Sequence, residues 1–132
     1  MTPGPRVLLV DDDADTLALY SLALTASGMT VDLATTGEAA LAAARSSPPA
    51  VIVTDLTLPD VDGIELCPPL QAAAGPSLKG LIILSGSSDT DQHERARQAG
   101  ATAVLTKPCL PEDLERFIRA ALEGSGNANS VR

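Results

Sequence analysis

The apolar positions of this chain fall into short runs of strand length, separated by stretches of helical character, and the alternation repeats five times. Arg6-Val-Leu-Leu-Val10, Ala50-Val-Ile-Val-Thr-Asp55 and Leu81-Ile-Ile-Leu84 are nearly continuous apolar runs, the pattern of strands covered on both faces. Met29-Thr-Val-Asp-Leu-Ala34 alternates with period two, and Ala101-Thr-Ala-Val-Leu-Thr106 supplies a fifth strand.

Between the strands, helix signals recur. A segment from about Ala14 to Ser27 stops at Gly28, a suitable C′ residue. Thr35-Thr-Gly-Glu38 provides an N-cap with an acid in the first turn for an alanine-rich helix that runs to about Arg45, before Ser46-Ser-Pro-Pro49. A third helix starts near Asp62 or Gly63; Pro68 and Pro69 remove two amide donors from its interior, so it is expected to be short, kinked or split. The fourth, about Asp89 to Ala99, is polar nearly all round with Ala96 and Ala99 as its anchors, and is the element expected to move. The last opens with Pro111-Glu-Asp113 and carries Leu114, Phe117, Ile118, Ala121 and Leu122 on one side. Residues 124–132 read as a frayed tail or the start of a linker.

Five strands alternating with five helices predict an α/β domain over residues 1–123, core 6–123: a doubly wound five-stranded parallel sheet of order 2-1-3-4-5. Composition narrows the rest. Hydrophobic residues make up 45% of the 132 and aromatics 2%, so the core is built from Val, Leu, Ile and Ala. A net charge of −8 argues against nucleic acid or an anionic membrane as a partner of this chain alone. No apolar run reaches the roughly 18 residues of a membrane span, and the start lacks a signal peptide, so a cytoplasmic location is expected. Cys67 and Cys109 lack metal-ligand spacing and read as reduced buried thiols.

The predicted strand order crowds Asp11, Asp12, Asp55, Ser85 and Lys107 onto one rim, where open α/β sheets bind ligands. Carboxylates so close repel one another and call for a cation, and an all-oxygen donor set suits Mg²⁺. Lys107 adds a fixed positive charge and Ser85 a hydroxyl donor. Together these describe a phosphoryl site on Asp55: a carboxylate nucleophile, a metal, and two donors for the transferred oxygens. Asp13 fits a helix N-cap, Asp60 and Asp62 loop and capping acids, His93 a solvated side chain and Cys109 a small buried apolar residue.

Val10-Asp-Asp12, Asp55-Leu-Thr-Leu-Pro59, Asp62-Gly63, Ser85-Gly86 and Lys107-Pro108, in this order and spacing, resemble the receiver domain of two-component response regulators, a flavodoxin/CheY-like fold. The resemblance covers roughly residues 6–123. It implies that a sensor histidine kinase or histidine phosphotransfer protein gives its phosphoryl group to Asp55. By the same resemblance Asp11, Asp12, Asp55 and the Thr57 backbone carbonyl hold Mg²⁺, Ser85 and Lys107 bind the phosphoryl oxygens, and the output passes to a downstream protein that the sequence does not name. Ala14, Leu17 and Ser21, at i, i+3 and i+7 beside the rim, are expected to form part of the kinase-docking surface.

Three departures from the family pattern stand out. Receivers usually carry Tyr or Phe three residues before the lysine, and this chain has Val104, which cannot make the same aromatic swing. Pro68-Pro69 interrupts the third helix, and no output domain follows Leu122, so the chain reads as a stand-alone receiver or a segment of a larger protein. Thr57 and Ser87 flank the site without a group to position an attacking water, so slow self-dephosphorylation is expected, and the chain is not expected to act as an enzyme on other substrates. Two alternatives follow from the same residues. A Mg²⁺ phosphohydrolase of the haloacid dehalogenase kind wants an acid two residues after its nucleophile, where this chain has Thr57; a pseudo-receiver keeps the fold without the phosphorylation.

Overall fold

A computed structural model describes residues 4–124, so the expected tail lies almost wholly outside the described residues. The elements are β1 (Arg6–Val10), α1 (Ala14–Ala26), β2 (Thr30–Ala34), α2 (Gly37–Ser46), β3 (Val51–Asp55), α3 (Gly63–Ala74), β4 (Gly80–Ser85), α4 (Thr90–Gln98), β5 (Ala103–Thr106) and α5 (Pro111–Leu122), with a 3-10 turn at Gly75–Ser77. The strands pair in parallel in the order β2-β1-β3-β4-β5, as the alternation of elements predicts.

Side chains alternate across a strand, so each apolar run divides between two cores. Leu8, Val10, Ile52, Leu81 and Ile83 face α2, α3 and α4, where they meet Ala40, Ala44, Leu66, Leu70 and Ala96. Val7, Leu9, Val51, Val53, Ile82 and Leu84 face α1 and α5, where Leu17, Tyr20, Leu24, Leu114 and Ile118 close the second layer. Fully burying a leucine or isoleucine contributes roughly 1.5–3 kcal/mol. On that scale α5, with Leu114 and Ile118 fully buried, is held firmly, whereas α4 buries Ala96 alone and is held lightly.

Gly28 has φ +96° and follows the α1 C-cap, as its C′ assignment anticipates; a residue with a Cβ would be strained there. Two expectations need correction. α3 runs unbroken over twelve residues through Pro68 and Pro69. Both prolines lie on its exposed face, so their rings do not disturb the packing of Leu66, Cys67 and Leu70 beneath. Cys109 is half-buried rather than buried, whereas Cys67 is fully buried and donates its Sγ–H to the Gly63 carbonyl at 3.3 Å.

Candidate functional site

Sheet register sets the geometry of the rim. Val10 lies level with Thr54 in the β1–β3 pair, so the next residue of each strand, Asp11 and Asp55, emerges at the same edge. One carboxylate oxygen from each of Asp11, Asp12 and Asp55 lies within 4.8 Å of the others. Asp11 is buried, Asp55 half-buried and Asp12 exposed. Ser85 pairs with Thr106 in the β4–β5 register, and the Lys107 amide donates to the Ser85 carbonyl at 2.7 Å, which aims the lysine back across the sheet edge. Its Nζ reaches Asp55 Oδ2 at 3.1 Å and Asp11 Oδ2 at 3.4 Å.

The charges are unequal, since three carboxylates face one ammonium. Burial pushes the Asp11 carboxyl above its ordinary range and the nearby Asp55 charge adds to this, against the Asp13 amide and Lys107, which stabilise the anion. Burial works against the Lys107 charge, but its hydrogen bond to Asp55 and the two carboxylate charges outweigh that and hold the ammonium above its ordinary range. The donor set fits a hard divalent cation: three clustered carboxylates, one open to solvent where water ligands can complete an octahedral shell.

The loop after Asp55 is tied at several points. The Thr57 amide lies 3.4 Å from Asp55 Oδ1, Thr57 pairs with Asp62 in an isolated antiparallel bridge, and the Gly63 amide donates to the Leu56 carbonyl at 2.7 Å. A Cβ on Gly63 would fall 2.6 Å from the Asp55 carbonyl oxygen and 2.8 Å from Leu56 Cα, so this approach requires glycine. Asp13 caps α1, accepting from the Asp15 amide and the Thr16 hydroxyl, and Asp62 caps α3, accepting from the Ile64 amide, both as anticipated. Asp60 caps a more distant helix: its carboxylate accepts from the Gly37 and Glu38 amides at 2.8 and 3.0 Å, fastening the loop to the N-terminus of α2. Those amides hold the Asp60 carboxyl below its ordinary range.

On the other side, Ser85 is buried and its hydroxyl is engaged within its own loop, donating to the Ser87 carbonyl at 3.1 Å and accepting from the Ser87 amide at 3.0 Å. His93 is not simply solvated: half-buried on α4, it places Nε2 2.7 Å from the same Ser87 carbonyl. Val104 is half-buried and packs against the core beneath α2, α3 and α4.

The rim thus gathers Asp11, Asp12, Asp55 and Lys107, with Ser85 at the next strand end. The expected docking trio divides. Ala14 is exposed and Ser21 half-buried, but Leu17 is 4% exposed and belongs to the core, because i, i+3, i+7 spacing on α1 follows the buried stripe that also holds Tyr20 and Leu24. The large exposed apolar side chains of α1 are Leu19 and Leu22. Asp60 is a capping acid as anticipated, though of α2 rather than of its own loop, and sequence reasoning missed the contact of His93 with the Ser87 carbonyl.

Comparison with known proteins agrees with this arrangement. The family model for the response regulator receiver domain matches residues 7–119. The transcriptional regulatory protein PrrA of Mycobacterium tuberculosis is 35% identical over 124 residues; the match takes in 94% of this chain and 52% of PrrA, so the chain spans about half the length of that relative. A CheY-like response regulator receiver domain protein from Methanospirillum hungatei superposes with a TM-score of 0.85 at 29% identity, over 95% of this chain and 98% of that one. A response regulator from Burkholderia pseudomallei, solved with a phosphorylated aspartic acid, a calcium ion and citrate, superposes with a TM-score of 0.82 at 25% identity, over 96% of this chain and 71% of that one.

Proposed function

Since this chain belongs to the receiver-domain family of response regulators, we propose that it accepts a phosphoryl group on Asp55 from a sensor histidine kinase or histidine phosphotransfer protein and thereby switches its affinity for a downstream partner. The observation that carries this reading is the single ammonium of Lys107 held against both Asp55 and Asp11 inside the carboxylate cluster.

In this mechanism a carboxylate oxygen of Asp55 forms a bond to phosphorus as the phosphohistidine P–N bond breaks and its electron pair returns to the imidazole nitrogen. β3 fixes the nucleophile, and the ties at Gly63 and Asp60 hold the loop that follows it in place. Lys107 exchanges part of its contact with the carboxylates for a transferred oxygen, and the Ser85 hydroxyl donates to another. Asp11, Asp12, Asp55 and the Thr57 backbone carbonyl would hold Mg²⁺, which when bound supplies positive charge against the phosphoryl oxygens. The Burkholderia pseudomallei relative, solved with a phosphorylated aspartic acid, supports an aspartate as the acceptor.

The donor needs a place to dock beside Asp55. A groove of about 510 Å³ lined by Thr16, Leu19, Tyr20, Pro108, Cys109 and Leu110 also includes Lys107, so a partner seated there brings its phosphoryl group to the rim. From α1 the groove takes Thr16, Leu19 and Tyr20, whereas exposed Ala14 and half-buried Ser21 do not line it. The same reading places the protein in the cytoplasm with a histidine-phosphorylated partner. No described helix is long and apolar enough to cross a membrane.

Thr57 is exposed and carries no carboxylate or amide, and the Ser87 hydroxyl accepts from the Asp89 amide, so neither offers a base for an attacking water. Self-dephosphorylation is accordingly slow, over minutes or longer. The lack of an acid at position 57 also separates the chain from an aspartate-based phosphohydrolase, and the full set of acids with Lys107 separates it from a pseudo-receiver. The test is transfer of labelled phosphate from a phosphorylated histidine phosphotransfer domain: label should move to this chain in Mg²⁺ and not in excess EDTA, and transfer that ignores EDTA would refute the metal-dependent reading.

A further inference from the structure

The Ser87 carbonyl accepts from two side chains that have separate work to do. A serine hydroxyl has one proton to donate, and that of Ser85 is committed to Ser87 at 3.1 Å. To donate to a phosphoryl oxygen on Asp55, Ser85 has to give that acceptor up. His93 Nε2 stands on the same oxygen at 2.7 Å, and because a carbonyl oxygen only accepts, Nε2 carries the hydrogen. The imidazole comes from the first turns of α4, whose backbone is set by the Asp89 cap: Asp89 accepts from the Asp91 and Gln92 amides through its side chain and from the His93 amide through its carbonyl.

We propose that His93 is a positioning residue of the switch: its ring keeps the Ser87 carbonyl partnered when the Ser85 hydroxyl turns to the phosphoryl group, and ties that movement to α4. This rests on the reading of Asp55 as phosphoryl acceptor. A half-buried carbonyl that loses its sole donor resists the change that strips it, whereas one with a second donor releases the first more readily. Ser87 is half-buried, so water makes up only part of the loss. α4 in turn buries Ala96 alone, so a displaced loop draws the helix with it through the ring. Val104, an aliphatic side chain packed into the core, has no polar group to pass the same movement along.

The test is a double-mutant cycle read by titration with beryllofluoride in Mg²⁺, followed by ¹⁹F NMR, on the wild type, His93→Ala, Ser85→Ala and the double variant. Removing one neutral hydrogen bond changes affinity by roughly two- to tenfold, so His93→Ala is expected to weaken binding within that range in the wild type. In the Ser85→Ala background, where no hydroxyl needs releasing, it should change binding by less than about twofold. His93→Gln, whose amide N–H can reach the same carbonyl, should restore the wild-type affinity, and His93→Leu, with bulk but no donor, should not. Equal weakening in both Ser85 backgrounds, tighter or unchanged binding in His93→Ala, or failure of His93→Gln where His93→Leu also fails would overturn the proposal. Failure of the wild type itself to bind is a separate result that removes the Asp55 reading and this inference together.

Discussion

Lys107 Nζ stands 3.1 Å from Asp55 Oδ2 and reaches Asp11 Oδ2 at 3.4 Å, so one ammonium serves two carboxylates that would otherwise face each other unscreened. The same charge lies where a divalent cation would be repelled and where a phosphoryl oxygen would be attracted. Lys107→Met should therefore move two affinities in opposite directions. Mg²⁺ binding should tighten on the order of tenfold, by removal of a like charge a few ångströms away. Beryllofluoride binding should weaken by roughly ten- to a hundredfold, the loss of a charged hydrogen bond. Isothermal titration of each ligand distinguishes this from general damage to the site, which weakens both.

Leu17 and Leu19 stand two residues apart with opposite duties. Leu17→Ala should cost about 2–5 kcal/mol in urea unfolding, because it opens a cavity beneath α1. Leu19→Arg and Leu22→Arg, at side chains 55% and 73% exposed, should leave stability within about 0.5 kcal/mol while slowing transfer from the kinase several-fold. Phosphorylation by acetyl phosphate should be unchanged in both, since it needs no docked protein; equal losses with the two donors would contradict the docking assignment.

Alkaline pH should weaken the fold through groups buried in their neutral form. Burial lifts the Cys67 thiol to about 11 from an ordinary 9.0, and burial likewise raises the Tyr20 phenol. The unfolded chain then loses these protons at lower pH than the folded protein does. The Cys67 contribution is fully present below pH 9.0 and is lost as the pH rises through about 11, and Tyr20 adds in the same direction. Urea midpoints measured across that window should fall, and less steeply in Cys67→Ala.

Pro68 and Pro69 each deprive α3 of a hydrogen bond at an exposed position. Pro68→Ala should stabilise the protein on the order of 2 kcal/mol, the interior proline penalty less the entropy that proline removes from the unfolded chain. A chevron or urea titration reads it, and a destabilised variant would mean that the proline ring packs in a way its exposure does not suggest.

Much of this architecture is legible in the order of residues. Runs such as Val51–Asp55 and Leu81–Leu84 carry the strand signal directly, and the parallel order follows from their alternation with helices, which brings Asp11, Asp55 and Lys107 together. What escapes is whatever depends on where one face ends. Leu17 and Leu19 look alike in sequence, and only packing decides that the first is core. Pro68 and Pro69 read as breakers, yet α3 runs through both with their rings on its exposed face. Asp60 reads as a capping acid, but which helix it caps, and the contact of His93 with the Ser87 carbonyl, depend on backbone partners that leave no trace in residue type.

The central claim is that Asp55 accepts a phosphoryl group, and intact-mass spectrometry after incubation with Mg²⁺ and acetyl phosphate tests it most directly. The wild type should gain the mass of one phosphoryl group, lose it on treatment with hydroxylamine, and gain nothing in Asp55→Asn. An unchanged wild-type mass, or an equal gain in Asp55→Asn, would contradict it.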